Sequence, residues 1–186
     1  MAHPAAKFAT YDDIRALPEN LVGEIIHGAL VTHPRPSPRH AVATTGLTGR
    51  IGNPFGFGEG GPGGWWILVE PELHLGGDVL VPDLAGWRRE RLPKMPEAAW
   101  FELIPDWACE VLSPSTSRVG RVRKMPIYAQ LGLRHLWLVD PDLRTLEAYE
   151  NREGKWLLLT TLEGDAAVAV PPFDAVSFSL GTLWVD

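Results

Sequence analysis

The chain reads as an α/β or α+β protein built on a mixed sheet, and three features of its 186 residues predict this. A short helix-forming segment and a longer one precede the middle of the chain. The middle is dominated by brief apolar strands bounded by Gly and Pro. A further helix then leads into three more strands. Hydrophobic residues make up 45% and charged residues 22% of the chain, ordinary values for a globular protein with a sizeable core. The length fits one domain spanning residues 1–186.

Tyr11 to Pro18 is expected to form a short helix, with a turn at Pro18-Glu19-Asn20. Gly23 to His33 reads as two strands folded back at His27-Gly28. Ser37 can cap a helix that begins at Pro38, a favourable first position, and runs to about Ile51. Asn53 to Gly64 is dense in Gly and Pro and is expected to be a loop. Strands follow at Trp65–Glu70, with Glu72–Leu75 as a continuation past Pro71, then at Asp83–Trp87 and Trp107–Leu112. A helix is expected from Val119 to Leu131, stopped by Gly132. Strands at His135–Val139, Thr145–Tyr149 and Trp156–Thr161 close the pattern, the last two as a hairpin across Asn151–Gly154.

The longest apolar runs, such as Leu136–Val139, are far too short to cross a bilayer, and Met1 to Thr10 lacks the apolar stretch of a secretory signal. A single cysteine, Cys109, allows no internal disulfide. A cytoplasmic protein with no membrane partner is the expectation. The net charge of −6 argues against coating DNA by general electrostatics. Two local basic strips remain as candidates for phosphate contacts, or as ordinary solvated charge: Arg88, Arg89, Arg91 and Lys94, and Arg118, Arg121, Arg123 and Lys124.

Three polar residues interrupt apolar patterns. Asp83 opens a strand and shares its face with Ala85 and Trp87. Glu110 lies inside an apolar strand on the face of Ala108 and Leu112. Lys124 comes at or near the start of the next helix. Taken singly, Asp83 can be a cap residue and Lys124 a solvated helix residue. Glu110 is harder to place in that way, because a carboxylate in a buried strand is costly unless paired or bound to a cation. Two carboxylates converging from neighbouring strands offer hard oxygens to Mg²⁺ or Mn²⁺, and the carbonyl of Val111 is a further candidate ligand. Such an ion neutralises charge on a reacting phosphate and acidifies a water, while a nearby lysine orients that water, helps deprotonate it or stabilises developing charge.

These residues fall within a longer pattern. Glu110-Val-Leu-Ser-Pro-Ser-Thr116, then Lys124, Tyr128, Gly132 and Trp137-Leu-Val-Asp-Pro141, resemble a large bacterial family of restriction-endonuclease type within the PD-(D/E)XK superfamily. Pro82-Asp83 with Leu84-Ala-Gly-Trp87, Gly23-Glu24-Ile-Ile-His-Gly28 and Ser37-Pro-Arg-His40 resemble its other motifs, in order, over roughly residues 11 to 150. The resemblance implies a restriction-endonuclease-like fold, a mixed central sheet flanked by helices. It implies Asp83 and Glu110 as metal ligands, Glu24 as a further acidic site residue, and a catalytic lysine moved from the position of Leu112 to Lys124. His40 either faces the same cleft or is a helix-face histidine satisfied by a neighbour. Gly120 stands where many relatives carry an aspartate, and Pro126 lies two residues beyond Lys124.

The expected function is therefore Mg²⁺- or Mn²⁺-dependent endonucleolytic hydrolysis of DNA, by a homodimer. A catalytically impaired nucleic-acid-binding module, or an assembly domain with relic carboxylates, is the alternative. The Gly-rich segment lacks a following Gly-Lys-Ser or Gly-Lys-Thr, and the six histidines show no zinc spacing. Trp65 or Trp66 can stack on a base, though most of the eight tryptophans are expected to be core or interface residues, and Cys109 is expected to be buried.

Overall fold

The computed structural model describes residues 8–34, 36–114 and 117–185. Ser115 and Thr116, the end of the Glu110 motif, lie outside the described residues, as does Met1 to Lys7 of the N-terminus.

Helix α1 (Tyr11–Arg15) leads into strands β1 (Leu21–Ile26) and β2 (Ala29–Pro34). His27 and Gly28, between the strands, have φ of 52° and 75°, the two positive values a tight two-residue hairpin requires. Ser37 caps α2 (Pro38–Ile51), its Oγ accepting from the His40 N–H at 3.3 Å. The predicted loop after α2 begins instead as a π-helical turn, Gly52–Phe57, which buries Phe55 before the chain leaves the helix at Gly58.

Six strands form the central sheet in the order β10-β9-β8-β7-β6-β3: β3 (Trp65–Val69), β6 (Leu84–Arg88), β7 (Trp107–Val111), β8 (His135–Asp140), β9 (Thr145–Arg152) and β10 (Lys155–Glu163). Only the β7–β8 pairing is parallel, so the sheet is mixed as expected. The segment after Pro71 does not continue β3. It forms β4 (Leu73–Leu75), which pairs with β5 (Asp78–Leu80) in a second, antiparallel sheet of order β2-β1-β5-β4. A small ladder, β11 (Ala167–Val168) with β12 (Phe178–Ser179), closes the C-terminal part.

Period-two alternation along β7 sorts the core into two layers. Trp107, Cys109 and Val111 face α2, packing with Ala43, Leu47, Ile51 and Phe173. Ala108 and, just past the strand, Leu112 face the opposite layer, with Ile127, Tyr128 and Leu80. Glu110 has the parity of that second layer, so its strand carries a carboxylate toward the helix that follows.

That helix is not uniform. Val119–Lys124 is π-helical and only Met125–Gln130, α3, is α-helical. Pro126 supplies a reason, since its ring crowds the carbonyl four residues back and it donates no N–H, so the preceding turn widens. The widened turn turns Lys124 inward, where it is 3% exposed. Gly120 sits against Leu112 in the same turn, and a Cβ added there would meet Leu112 Cδ2 at 3.3 Å. An aspartate at this position would crowd that contact.

Candidate active site

Extending the β6–β7 register by one residue from the Leu84–Cys109 pair sets Asp83 opposite Glu110, at one end of the sheet. Asp83 does not itself open β6; it precedes the strand, and its Oδ2 accepts the Val111 N–H at 2.6 Å. That contact locks the two motif strands together at the position where both carboxylates lie. The start of α2 brings His40 to the same place, with Nε2 2.9 Å from Asp83 Oδ1 and the Val111 carbonyl also accepting from the imidazole. His40 thus faces the cleft and is satisfied by a neighbour at once.

On the other side of Glu110, Lys124 Nζ lies 2.7 and 2.8 Å from the two carboxylate oxygens, 3.0 Å from Glu24 Oε1 and 3.1 Å from the Val81 carbonyl. Tyr128, fully buried, donates its hydroxyl to Glu110 Oε1 at 2.8 Å. Glu24, 1% exposed on β1, accepts from the Val81 N–H at 2.7 Å and contacts His33 Nε2 at 2.9 Å. The structure therefore brings together Asp83, Glu110, Lys124, Glu24 and Val111, all singled out in the sequence. His33 and the Val81 carbonyl had no sequence signal, and Tyr128 entered only as part of a motif.

Charge in this cluster is unevenly balanced. Burial, together with the negative charges of Asp83 and Glu24, outweighs Lys124 and raises the Glu110 carboxyl above its ordinary range. Burial opposes ionisation of Glu24 too, but the Lys124 charge and the bonds from His33 and Val81 win and lower its pKa. Lys124 loses hydration on burial, yet Glu110 and Glu24 hold it firmly as the ammonium. As an ammonium it can orient a water or balance charge. Burial likewise works against a charged His40, and Asp83 reverses the balance, raising its pKa. Burial pushes the Cys109 thiol up, so this residue is a core side chain and not a nucleophile.

The low pKa of Glu24 gives a pH prediction with a definite sign. The unfolded carboxyl titrates near ~4.3, so as pH falls below that value the unfolded chain binds more protons and stability drops. The stabilisation is complete above that pH and is lost as the folded value is approached. Urea midpoints measured from pH 6 down to pH 3 are expected to fall, and Glu24→Gln to flatten that acid limb.

The cluster opens on a cavity of about 850 Å³ lined by five carboxylates (Glu24, Glu70, Asp83, Glu110 and Asp142) against Arg39, Lys124, His33 and His40. An anionic substrate meets repulsion here unless a cation intervenes. Among the described residues no three His, Cys, Asp or Glu side chains are arranged to hold a metal ion. Asp83 and Glu110 do bring carboxylate oxygens, the donor type a hard cation takes, to one end of the sheet beside the Val111 carbonyl, but in this arrangement those oxygens are engaged by the Val111 N–H, His40, Lys124 and Tyr128.

The basic strips are largely committed to the protein itself. Arg89 donates to the Trp65 and Gly56 carbonyls and lies over the Trp66 ring, Arg91 pairs with Asp106, and Arg121 is bidentate on Glu147. Arg118, Arg123 and Lys94 remain exposed. Trp65 is buried in the core, while Trp66 is half-buried and donates its indole N–H to the Leu92 carbonyl. Among the described residues no helix is long and apolar enough to cross a membrane.

The fold is shared with a solved structure described as a putative nuclease belonging to DUF820 from Anabaena variabilis. The TM-score is 0.70 at 24% identity, over 94% of this chain and 97% of the other. No curated protein matches the chain. Over residues 8–181 the sequence matches the model of a family described as "Putative restriction endonuclease", and the chain belongs to that family, Uma2.

Proposed function

We propose that the protein is a metal-dependent endonuclease that hydrolyses DNA phosphodiester bonds at the cavity between α2 and the π-helical turn. The observation that carries this reading is the pairing of Asp83 with Glu110 at adjacent strand ends, locked by the Asp83–Val111 hydrogen bond and backed by buried Lys124. Membership of a restriction-endonuclease family supports it. Asp83, Glu110 and the Val111 carbonyl would hold Mg²⁺ or Mn²⁺, which when bound supplies Lewis-acid stabilisation of phosphate charge and a more acidic water. Lys124, fixed as a cation, balances the carboxylates and orients the nucleophile. Tyr128 and Glu24 hold Glu110 and Lys124 in place. Cutting both strands of a duplex would use two copies of the chain.

A second reading has one observation in its favour. Both oxygens of Glu110 are already taken by Lys124 and Tyr128, as in a structural ion-pair network of a nucleic-acid-binding or assembly module. Cation dependence separates the two. Purified protein is expected to nick or linearise supercoiled plasmid in Mg²⁺ or Mn²⁺ and to do nothing in EDTA. The cation at about 100 times its Kd should also add ~2.7 kcal/mol of stability. No cleavage in either metal, with an unchanged melting temperature, would favour the second reading.

A further inference from the structure

Lysine and arginine enter the cavity lining at two positions, Lys124 and Arg39, and the two are placed for different work. Lys124 is 3% exposed and committed to Glu110 and Glu24. Arg39, on α2 one residue before His40, keeps 54% of its side chain open to solvent, which puts it at the rim. Its Nη1 donates to Asp142 Oδ1 at 3.2 Å, from the start of α2 to the turn between β8 and β9. Val139 of β8 lies beside Val111, so that turn leaves the sheet at the end where Asp83 and Glu110 lie. Asp140 Oδ1 accepts the N–H groups of Asp142 and Leu143 at 3.0 and 2.9 Å, which fixes the turn and the place of the Asp142 carboxylate.

The pair is weak beside the other arginine pairs of this protein. Arg121 holds Glu147 through two bonds of 2.8 Å, and Arg91 reaches the nearly buried Asp106 at 2.7 Å. The Arg39 contact is longer than the about 2.7–2.9 Å usual between charged partners. Asp142, like Arg39, is half in water (46% exposed), where an ion pair contributes little. A guanidinium has a fork of further N–H donors whose geometry matches the oxygens of a phosphate. Deeper in the cavity the carboxylates already face partners, Glu24 and Glu110 at Lys124 and Asp83 at His40. The rim is therefore where an anionic backbone can meet an available positive charge.

Resting on the nuclease reading above, we propose that Arg39 is a substrate-binding residue that grips a backbone phosphate of DNA at the rim of the cavity. Asp142 is its resting partner, holding the guanidinium over the opening until the phosphate replaces the carboxylate. The exchange trades one exposed ion pair for another, so the resting contact sets affinity without blocking entry.

The test is binding of a labelled DNA duplex by the full chain, followed by fluorescence anisotropy over a KCl series with Ca²⁺ held constant. Wild type is compared with Arg39→Ala, Arg39→Gln, Asp142→Asn and Lys155→Ala. Lys155 is exposed in the β9–β10 hairpin, beyond the Trp107–His135 end of the sheet, so its loss removes the same charge far from the cavity. Both Arg39 variants are expected to bind about tenfold more weakly, with a shallower salt dependence. Lys155→Ala should stay within about twofold of wild type, because salt screens a distant charge. Asp142→Asn should bind roughly two- to fivefold more tightly, since Arg39 no longer has to leave a carboxylate. It also keeps the test decisive if the Arg39 variants fail to fold. Equal weakening by Arg39→Ala and Lys155→Ala would reduce the effect to net charge and overturn the assignment. Weaker binding by Asp142→Asn would make the pair a structural strap and overturn it as well. Both of those results leave the nuclease reading standing, whereas a wild type that binds no duplex overturns both.

Discussion

Replacing Lys124 with methionine is expected to destabilise the protein by about 3–5 kcal/mol, because a buried charge pair loses one partner while the other stays in place. The side chain is 3% exposed and its ammonium reaches both Glu110 oxygens, Glu24 and the Val81 carbonyl. Methionine fills the volume of the stem and leaves two carboxylates facing each other without a counter-ion. For a chain of this size each kcal/mol corresponds to roughly 2–4 °C in melting temperature, so a drop on the order of 6–20 °C follows, measurable by calorimetry. Acidifying the sample should recover part of the loss. Glu110, already raised in pKa, then protonates more readily than in the wild type and relieves the repulsion. A melting temperature within 2 °C of the wild type would mean that the buried triad contributes little to the fold.

Asp83→Asn is expected to behave in the opposite way, with a small effect on stability and a large one on catalysis. The amide oxygen can still accept the Val111 N–H, so the strand-end lock persists and the loss should be about 1 kcal/mol. What disappears is the negative charge from the pair of cation-holding carboxylates. Single-turnover cleavage of a labelled duplex is expected to slow by about 10²–10³-fold, the scale seen when one directly stabilising group leaves a site. The contrast between the two variants separates residues that build the site from residues that hold its charge. Equal stability losses for both would collapse that distinction.

Much of this site can be read in the sequence, for identifiable physical reasons. Alternation along Trp107–Val111 assigns Glu110 to the face opposite Cys109, and the structure places the two in opposite layers. The Ser37-Pro38 start of α2 and the His27-Gly28 turn are local chemistry, carried by a cap and by two positive φ values. Contacts across elements are less legible. Nothing local in β2 says that His33 meets Glu24, since that depends on how the hairpin lies over Val81. The segment 72–75 looks like an extension of Trp65–Glu70, yet β4 belongs to the smaller sheet, with Glu70 at φ 46° marking the break between them. The inward turn of Lys124 needs the π-helical widening before Pro126, which a regular helical period does not foresee. The basic strips are only partly legible for a related reason, because sequence shows charge density but not that Arg89, Arg91 and Arg121 bond to carbonyls and carboxylates nearby.

The most direct test of the central claim is supercoiled-plasmid cleavage in Mn²⁺ by wild type and Asp83→Asn purified identically, with matched melting curves. Nicking or linearisation by wild type, and none by a folded Asp83→Asn protein over the same time course, is the predicted result. Equal cleavage by the two proteins would contradict the account and place the chemistry somewhere other than the Asp83–Glu110 strand ends.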